Sequence, residues 1–303
     1  MPTDDVELAR AAPCIVEVAL NGATTKQANP QVPRSPSEIT TDALACIEAG
    51  AAIVHNHNDE FLWVENGVHA AAPYLEAWQP VLAAHPDVLL YPTMASGGPG
   101  IAIETRWAHN VELAQAGVCQ IGLVDPGSVS LGLLDDHGLP MPLDLVYVNT
   151  FADARYMIER CAELSLAPSI SIFDPSFLRV ALAFHEVRAL PPGALIKLYF
   201  GGSIPFGLPP TAASLDAYLA MLDGTELPWL VAVLGGDVVN SGLAEAAVQR
   251  GGHVRVGLED YAGDRKPTNV ELIEQVIGLI NANGRRAATP NETRLILGLK
   301  TKT

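Results

Sequence analysis

AAIVHNH, residues Ala51–His57, is an apolar run that ends in two histidines one residue apart. Asn58, Asp59 and Glu60 follow at once. Side chains alternate across an extended strand, so His55 and His57 share one face and Asn56 takes the other. The two imidazoles then stand about 6–7 Å apart along the backbone, near enough to converge on one ion. The stretch fits two readings: a metal site at the mouth of a barrel, or polar residues capping a strand. The architecture around it has to decide.

Outward from this run, seven others have the same character: Cys14–Leu20, Val88–Thr93, Val118–Leu123, Pro168–Phe173, Ala194–Phe200, Trp229–Leu234 and His253–Glu259. Helical patterns separate them, over Ser37–Ala49, Tyr74–Ala84, Ile103–Ala116, Phe151–Leu164, Ser176–Ala189, Ser214–Leu222, Leu243–Arg250 and Asn269–Asn283. Thr268 with Glu271 reads as a capping box on the last of these, and Gly284 stops it. Eight strands alternating with eight helices is the count of an α/β (β/α)₈ TIM barrel. A doubly wound sheet is the competing architecture, but LNGATTKQANP after the first run spells neither of the usual phosphate loops. The expected organisation is an N-terminal extension over 1–12 and one barrel over 13–303 with a C-terminal helical extension.

The chain's 303 residues are 49% apolar, which supplies a large core. Eighteen basic residues against 34 acidic ones give a net charge of −16, opposing nonspecific binding to nucleic acid or an anionic membrane. No apolar stretch reaches the roughly 18 residues that cross a bilayer. MPTDDVELAR lacks the order of a signal peptide, so a soluble cytoplasmic protein is expected. Cys14, Cys46, Cys119 and Cys161 lie far apart beside apolar segments and read as buried, reduced thiols.

In a barrel of this class the active site lies at the C-terminal ends of the strands. The eighth run, GGHVRVGLEDY, puts His253, Arg255, Gly257 and Glu259 on one face and Val254, Val256 and Leu258 on the other. The apolar set packs on helices, which leaves Arg255 and Glu259 pointing inward. Charges there are costly unless paired or bound to metal. One reading is a structural ion pair. The other makes Glu259 complete a His₂Glu set with His55 and His57, as in catalytic zinc sites. Asp260 is then a base beside the metal-bound oxygen, oriented by Arg255.

The succession of VALNGATTKQANPQVPRSPSEI, AGAAIVHNHND, GGHVRVGLED and AATPNETRLIL resembles the β-keto acid cleavage enzymes, from about Cys14 to Leu297. That resemblance implies a metal-dependent TIM barrel condensing a 3-keto acid with acetyl-CoA, giving acetoacetate and a new CoA thioester. It places the zinc ligands (another divalent ion would serve) on His55, His57 and Glu259, the catalytic aspartate on Asp260 and its orienting arginine on Arg255. Asp260 is expected to draw its proton from the acetyl-CoA methyl or a hydroxyl intermediate. Thr93 matches a serine near the substrate carboxylate. Gly97, Gly98 and Asn21 are further candidate substrate-binding positions. Homo-oligomers, tetramers by resemblance, are expected from the apolar proline-rich loops at 139–142 and 204–210.

Several positions depart from the family pattern. The first loop, NGATTK, lacks the glutamate of relatives that cleave amino-substituted keto acids, which argues against a cationic substrate. Asp237 stands where an arginine is common, Asp125 replaces a threonine-containing turn, and Ser169 and Ser171 replace paired glutamates. All four are expected at the pocket, implying a retained metal centre and a changed substrate. Lys26 reaches either the site or the surface, while His69, His85, His109, His137 and His185 are expected to be core or solvated. The competing functions are a TIM-barrel metallohydrolase and a metal-containing binding protein without catalysis. The first is disfavoured because the ends of VCQIGLVD and SISIFD offer no lysine or histidine, the second because no fourth ligand is evident.

Overall fold

The computed structural model describes residues 12–59, 67–95, 100–143 and 146–302. Eight parallel strands form its centre: β1 (Val16–Ala19), β2 (Ile53–Asn56), β3 (Leu89–Pro92), β4 (Ile121–Val124), β5 (Ala167–Ile172), β6 (Leu195–Gly201), β7 (Trp229–Leu234) and β8 (His253–Val256). Their order is β3-β2-β1-β8-β7-β6-β5-β4, every ladder parallel. At the seam, where β3 and β4 share no ladder, the Cys119 thiol of the segment entering β4 donates to the Leu90 carbonyl at 3.5 Å. The result is a nearly closed (β/α)₈ barrel.

The helices are α1 (Pro36–Glu48), α2 (Ala72–Ala84), α3 (Ile103–Arg106), α4 (Ala108–Gln115), α5 (Phe151–Glu163), α6 (Pro175–Glu186), α7 (Ala212–Leu222), α8 (Leu243–Gln249), α9 (Asn269–Ala282) and α10 (Pro290–Ile296). Reciprocal capping boxes start four of them, at Ser35/Glu38, Thr150/Asp153, Thr268/Glu271 and Thr289/Glu292. Each satisfies backbone donors that the first helical turn leaves orphaned. The strands are short but almost wholly buried, because helices cover their outer faces and side chains fill the inside.

Three local features differ from the sequence expectation. The helix expected over 103–116 breaks at Trp107, whose indole turns inward and donates to the Leu123 carbonyl at 3.0 Å. A buried indole N–H needs that acceptor, and the helix yields to it. A two-stranded antiparallel ribbon, Val129–Ser130 with Val146–Tyr147, projects from the connection between β4 and α5. Finally, β8 ends at Val256 rather than Glu259. Gly257 has φ +147, and a Cβ there would meet the Ala19 carbonyl oxygen at 2.0 Å. Only glycine lets the chain turn this close against β1.

The N-terminal mouth is closed by Arg285, whose guanidinium donates to the carbonyls of Ala12, Pro13, Val248 and Gly252. All four cysteines are buried free thiols. The loop at 204–210 buries Phe206 against the barrel and leaves no apolar patch, contrary to expectation. Leu139, Met141 and Leu143, from the other proline-rich loop, do stand exposed, with Leu133, Val146 and Phe151 near them in sequence.

Candidate active site and metal centre

Alternation along β2 does what the sequence requires. Asn56 points outward, and its Oδ1 accepts from the Trp78 indole of α2 at 2.8 Å. His55 and His57 point the other way, with ring centroids 5.2 Å apart. The His55 Nδ1 lies 3.2 Å from the Tyr91 carbonyl, and its ring stacks on the Tyr91 ring at 4.4 Å. With Nδ1 donating to that carbonyl, Nε2 keeps its lone pair for a ligand. Burial drives the His55 pKa down to about 4, so the imidazole is neutral, the form that binds metal.

After Gly257 the chain turns, and Glu259 comes back over the strand ends. Its Oε2 lies 3.2 Å from His55 Nε2 and 3.5 Å from His57 Nε2. That oxygen is buried and has no hydrogen-bond partner. The ligand atoms of the three residues all lie within 4.8 Å of one another. Two imidazole nitrogens and an otherwise orphaned carboxylate oxygen suit a divalent metal ion.

Arg255 organises the surrounding charges. Its Nε and one terminal nitrogen grip Asp260 at 2.8 and 3.1 Å. The same terminal nitrogen reaches Glu259 Oε1 at 2.9 Å, and the other reaches Glu17 Oε1 at 3.0 Å and the Tyr91 hydroxyl at 3.1 Å. Lys197 also donates to the Tyr91 hydroxyl, at 2.9 Å, and that hydroxyl in turn donates to Glu17. Burial alone would raise the Glu259 carboxyl, but Arg255, His55 and His57 outweigh it and hold the group well below its ordinary range. At Asp260 burial prevails, aided by Glu259 and Glu17, and the carboxyl is raised despite Arg255. Two adjacent acids are thus pushed apart, one fixed as an anion and the other poised to exchange a proton.

His55, His57, Arg255, Glu259 and Asp260 line a cavity of about 430 Å³ at the C-terminal mouth, together with Thr93, Asp125, Tyr147, Ser171, Lys197 and Tyr199. Thr93, Asp125 and Ser171 therefore sit where the sequence placed them. Ser169 is buried below the cavity wall. Asp237 is a correction: its carboxylate caps its own turn, accepting from the Val239 and Asn240 backbone and the Asn240 amide. Asn21 likewise has no atom left for a substrate. Its amide donates to the Pro33 and His57 carbonyls and accepts from the Gly22 and His57 backbone, which braces His57 instead. Lys26 pairs with Glu38 at the surface. Gly97 and Gly98 lie outside the described residues. His109 is a core histidine bonded to the Thr93 carbonyl, and the first loop offers the cavity only Ala23 and Thr24.

Glu17, Tyr91 and Lys197 were not anticipated. Glu17 in CIVEVAL and Lys197 in ALIKLYF are single charges inside apolar strand runs. The cost argument that singled out Arg255 applies equally to them.

A family model described as beta-keto acid cleavage enzyme matches residues 13–299. The chain belongs to the beta-keto acid cleavage enzyme family. It is 29% identical to the 3-dehydrocarnitine:acetyl-CoA trimethylamine transferase of Rhizobium meliloti (strain 1021), over 94% of this chain and 96% of that one. It is 28% identical to the 3-keto-5-aminohexanoate cleavage enzyme of Fusobacterium nucleatum subsp. nucleatum, over 94% and 98%. The 3-oxoadipate:acetyl-CoA acetyltransferase of Cupriavidus necator is 26% identical over 95% of each chain. ObcA, in a ternary complex with a C4-CoA adduct and oxalate, shares the fold with a TM-score of 0.67 at 17% identity, over 89% of this chain and 68% of its own. Family membership accounts for the retained barrel, and of the departing positions Asp125 and Ser171 fall on the cavity wall.

The buried histidines predict a pH dependence. His253 accepts from the Ile15 backbone, and burial, with the Arg285 charge, holds its pKa at about 3. Between the ordinary value of 6.5 and about 4, the unfolded chain binds protons that buried His55 and His253 refuse. Stability of the metal-free protein therefore falls as pH falls through that window. Urea midpoints at pH 7 and pH 5 check this, and double replacement of the two histidines by glutamine should flatten the difference.

Proposed function

We propose that this protein catalyses acetyl-CoA-dependent cleavage of a 3-keto acid, yielding acetoacetate and the CoA thioester of the acyl remainder. His55, His57 and Glu259 would hold a divalent ion, zinc by the character of the donor set. The observation that carries the reading is the shared cavity: an open ligand triad and, one residue along, a carboxylate gripped by Arg255. The names of relatives over nearly the full chain support the same reaction class. A hydrolase or a non-catalytic binding protein finds no matching relative among these.

A divalent ion held by His55, His57 and Glu259 would supply Lewis-acid polarisation of the 3-keto carbonyl. The remaining work belongs to the protein. Atom balance corrects the expected proton: the acetyl carbon of acetyl-CoA ends up bonded to C2 of the keto acid, so the proton leaves C2 and not the acetyl methyl. Asp260 takes it, held in position by Arg255. C2 then attacks the thioester carbonyl and CoA thiolate leaves. The thiolate attacks the 3-keto carbon, the C2–C3 bond breaks with its electron pair on C2, and Asp260 returns the proton there. A barrel mouth lined largely by apolar side chains keeps water from the reacting carbons.

We also take the protein to act as a cytoplasmic homotetramer. None of its described helices is long and apolar enough to cross a membrane. Exposed Leu133, Leu139, Leu143, Val146 and Phe151 give one stretch of chain an apolar surface suited to subunit contact. Light scattering at micromolar concentration should give four subunits, and a monomer would refute the assembly.

With acetyl-CoA labelled in its acetyl group, the label should appear in acetoacetate and not in the new thioester. Label in the thioester would overturn the bond assignments. Asp260→Asn should bind keto acid and metal yet lose turnover by roughly 10²–10⁴-fold, the span of a positioned general base.

A further inference from the structure

Asp125 follows the end of β4, two strands from β2 across the seam and four strands from β8 the other way round. It is buried and lines the cavity. Its Oδ2 accepts from the Tyr147 hydroxyl of the ribbon at 2.5 Å. Its Oδ1 is buried with no partner of hydrogen-bond geometry. The cations within electrostatic reach are Lys197 and Arg106, and both are engaged elsewhere. Lys197 donates to the Tyr91 hydroxyl, and Arg106 to Asn149 and Asp153. The Ser171 hydroxyl lies beside the carboxyl and favours its ionised form, while burial raises its pKa.

An acceptor buried without a donor is a standing cost to the fold unless something entering the cavity supplies one. On the wall itself the Ser171 hydroxyl is the neighbouring donor, and it makes no bond to Oδ1. Leu123, Leu131, Leu234 and Phe173 line the same cavity, and the Phe173 ring meets the Tyr147 ring edge-on at 6.3 Å. The first loop, where an acid is absent, is therefore not the only route by which a carboxylate can reach this cavity.

We propose that Asp125, positioned by Tyr147, is the recognition site for the far end of the keto acid, and that this end carries a hydrogen-bond donor, an ammonium or a hydroxyl group. This rests on the proposed function, since the near end must lie at the triad for the far end to meet Asp125. A far-end carboxylate would face Asp125 with like charge. A far-end methyl would leave Oδ1 as it is now, without a donor. Sites built around a polar partner reject analogues lacking it far more strongly than apolar pockets reject a missing methylene.

The test uses matched 3-keto acids of one chain length ending in amino, hydroxyl, methyl or carboxylate groups. Each is measured for kcat/KM with acetyl-CoA and, separately, for affinity by calorimetry without it. Amino- and hydroxyl-ended acids should exceed the methyl-ended acid by roughly 10²-fold, the two arms showing which donor is preferred. Asp125→Asn should narrow that preference, lowering the donor-ended acids, the amino-ended one most, by more than it lowers the methyl-ended one. A wild-type preference for the methyl or carboxylate end, or an equal loss on every acid in Asp125→Asn, overturns the proposal. If Asp125→Asn does not fold, Tyr147→Phe carries the test. It removes the hydroxyl that positions Asp125, so the advantage of the donor-ended acids over the methyl-ended one should shrink, and an unchanged ratio counts against the subsite. Donor-selective binding without turnover would sink the proposed reaction and support the subsite. Turnover without donor selectivity would sink the subsite alone.

Discussion

The site depends on one buried cation. Arg255 is 1% exposed and touches three carboxylates at once, those of Glu17, Glu259 and Asp260. An isolated guanidinium in that position would be prohibitive, and so would three unpaired acids. Together they make a compact unit whose members cannot be removed singly without leaving a buried charge exposed to an apolar interior. A planar fork is required, because a point charge cannot hold Asp260 in two-pronged geometry while reaching Glu259 and Glu17 on other edges. The backbone fixes this arrangement through register: Glu17 lies opposite Arg255 across the β1–β8 ladder, and Ala19 opposite His55 across β1–β2.

Much of this was legible in the sequence because period-two alternation is a hard constraint. It assigned His55 and His57 to one face, sent Asn56 to the helices and predicted that Arg255 points inward. Glu259 was reached at the right address by the wrong route. The strand stops at Val256, and a turn at Gly257, pressed against the Ala19 carbonyl, brings the carboxylate back. Alternation carried past a glycine has no physical basis, and only tertiary contact with β1 reveals the turn. Asn21 and Asp237 were misjudged for a related reason. Polar residues in βα loops bond to nearby backbone as readily as to ligands, and sequence position does not say which.

The missed residues have a different cause. Glu17 and Lys197 each stand alone between apolar neighbours, so neither forms a motif. Their meaning appears only when the barrel closes and Tyr91 bridges them. Tyr147 belongs to a ribbon whose strands are two residues each, too short for any periodicity to show. That ribbon supplies one wall of the cavity, while β2 and the turn after β8 supply His55, His57 and Glu259.

In the proposed function Arg255 holds both Glu259, as a metal ligand, and Asp260, as the base, and the conservative variant tests this most directly. Zinc titrated into metal-free Arg255→Lys, with all three ligands intact, should bind roughly 10–100-fold more weakly than to the wild type, the range expected when a partner orienting a ligand is lost. Wild-type affinity in that variant would contradict the account, because Glu259 would then hold its place without the guanidinium.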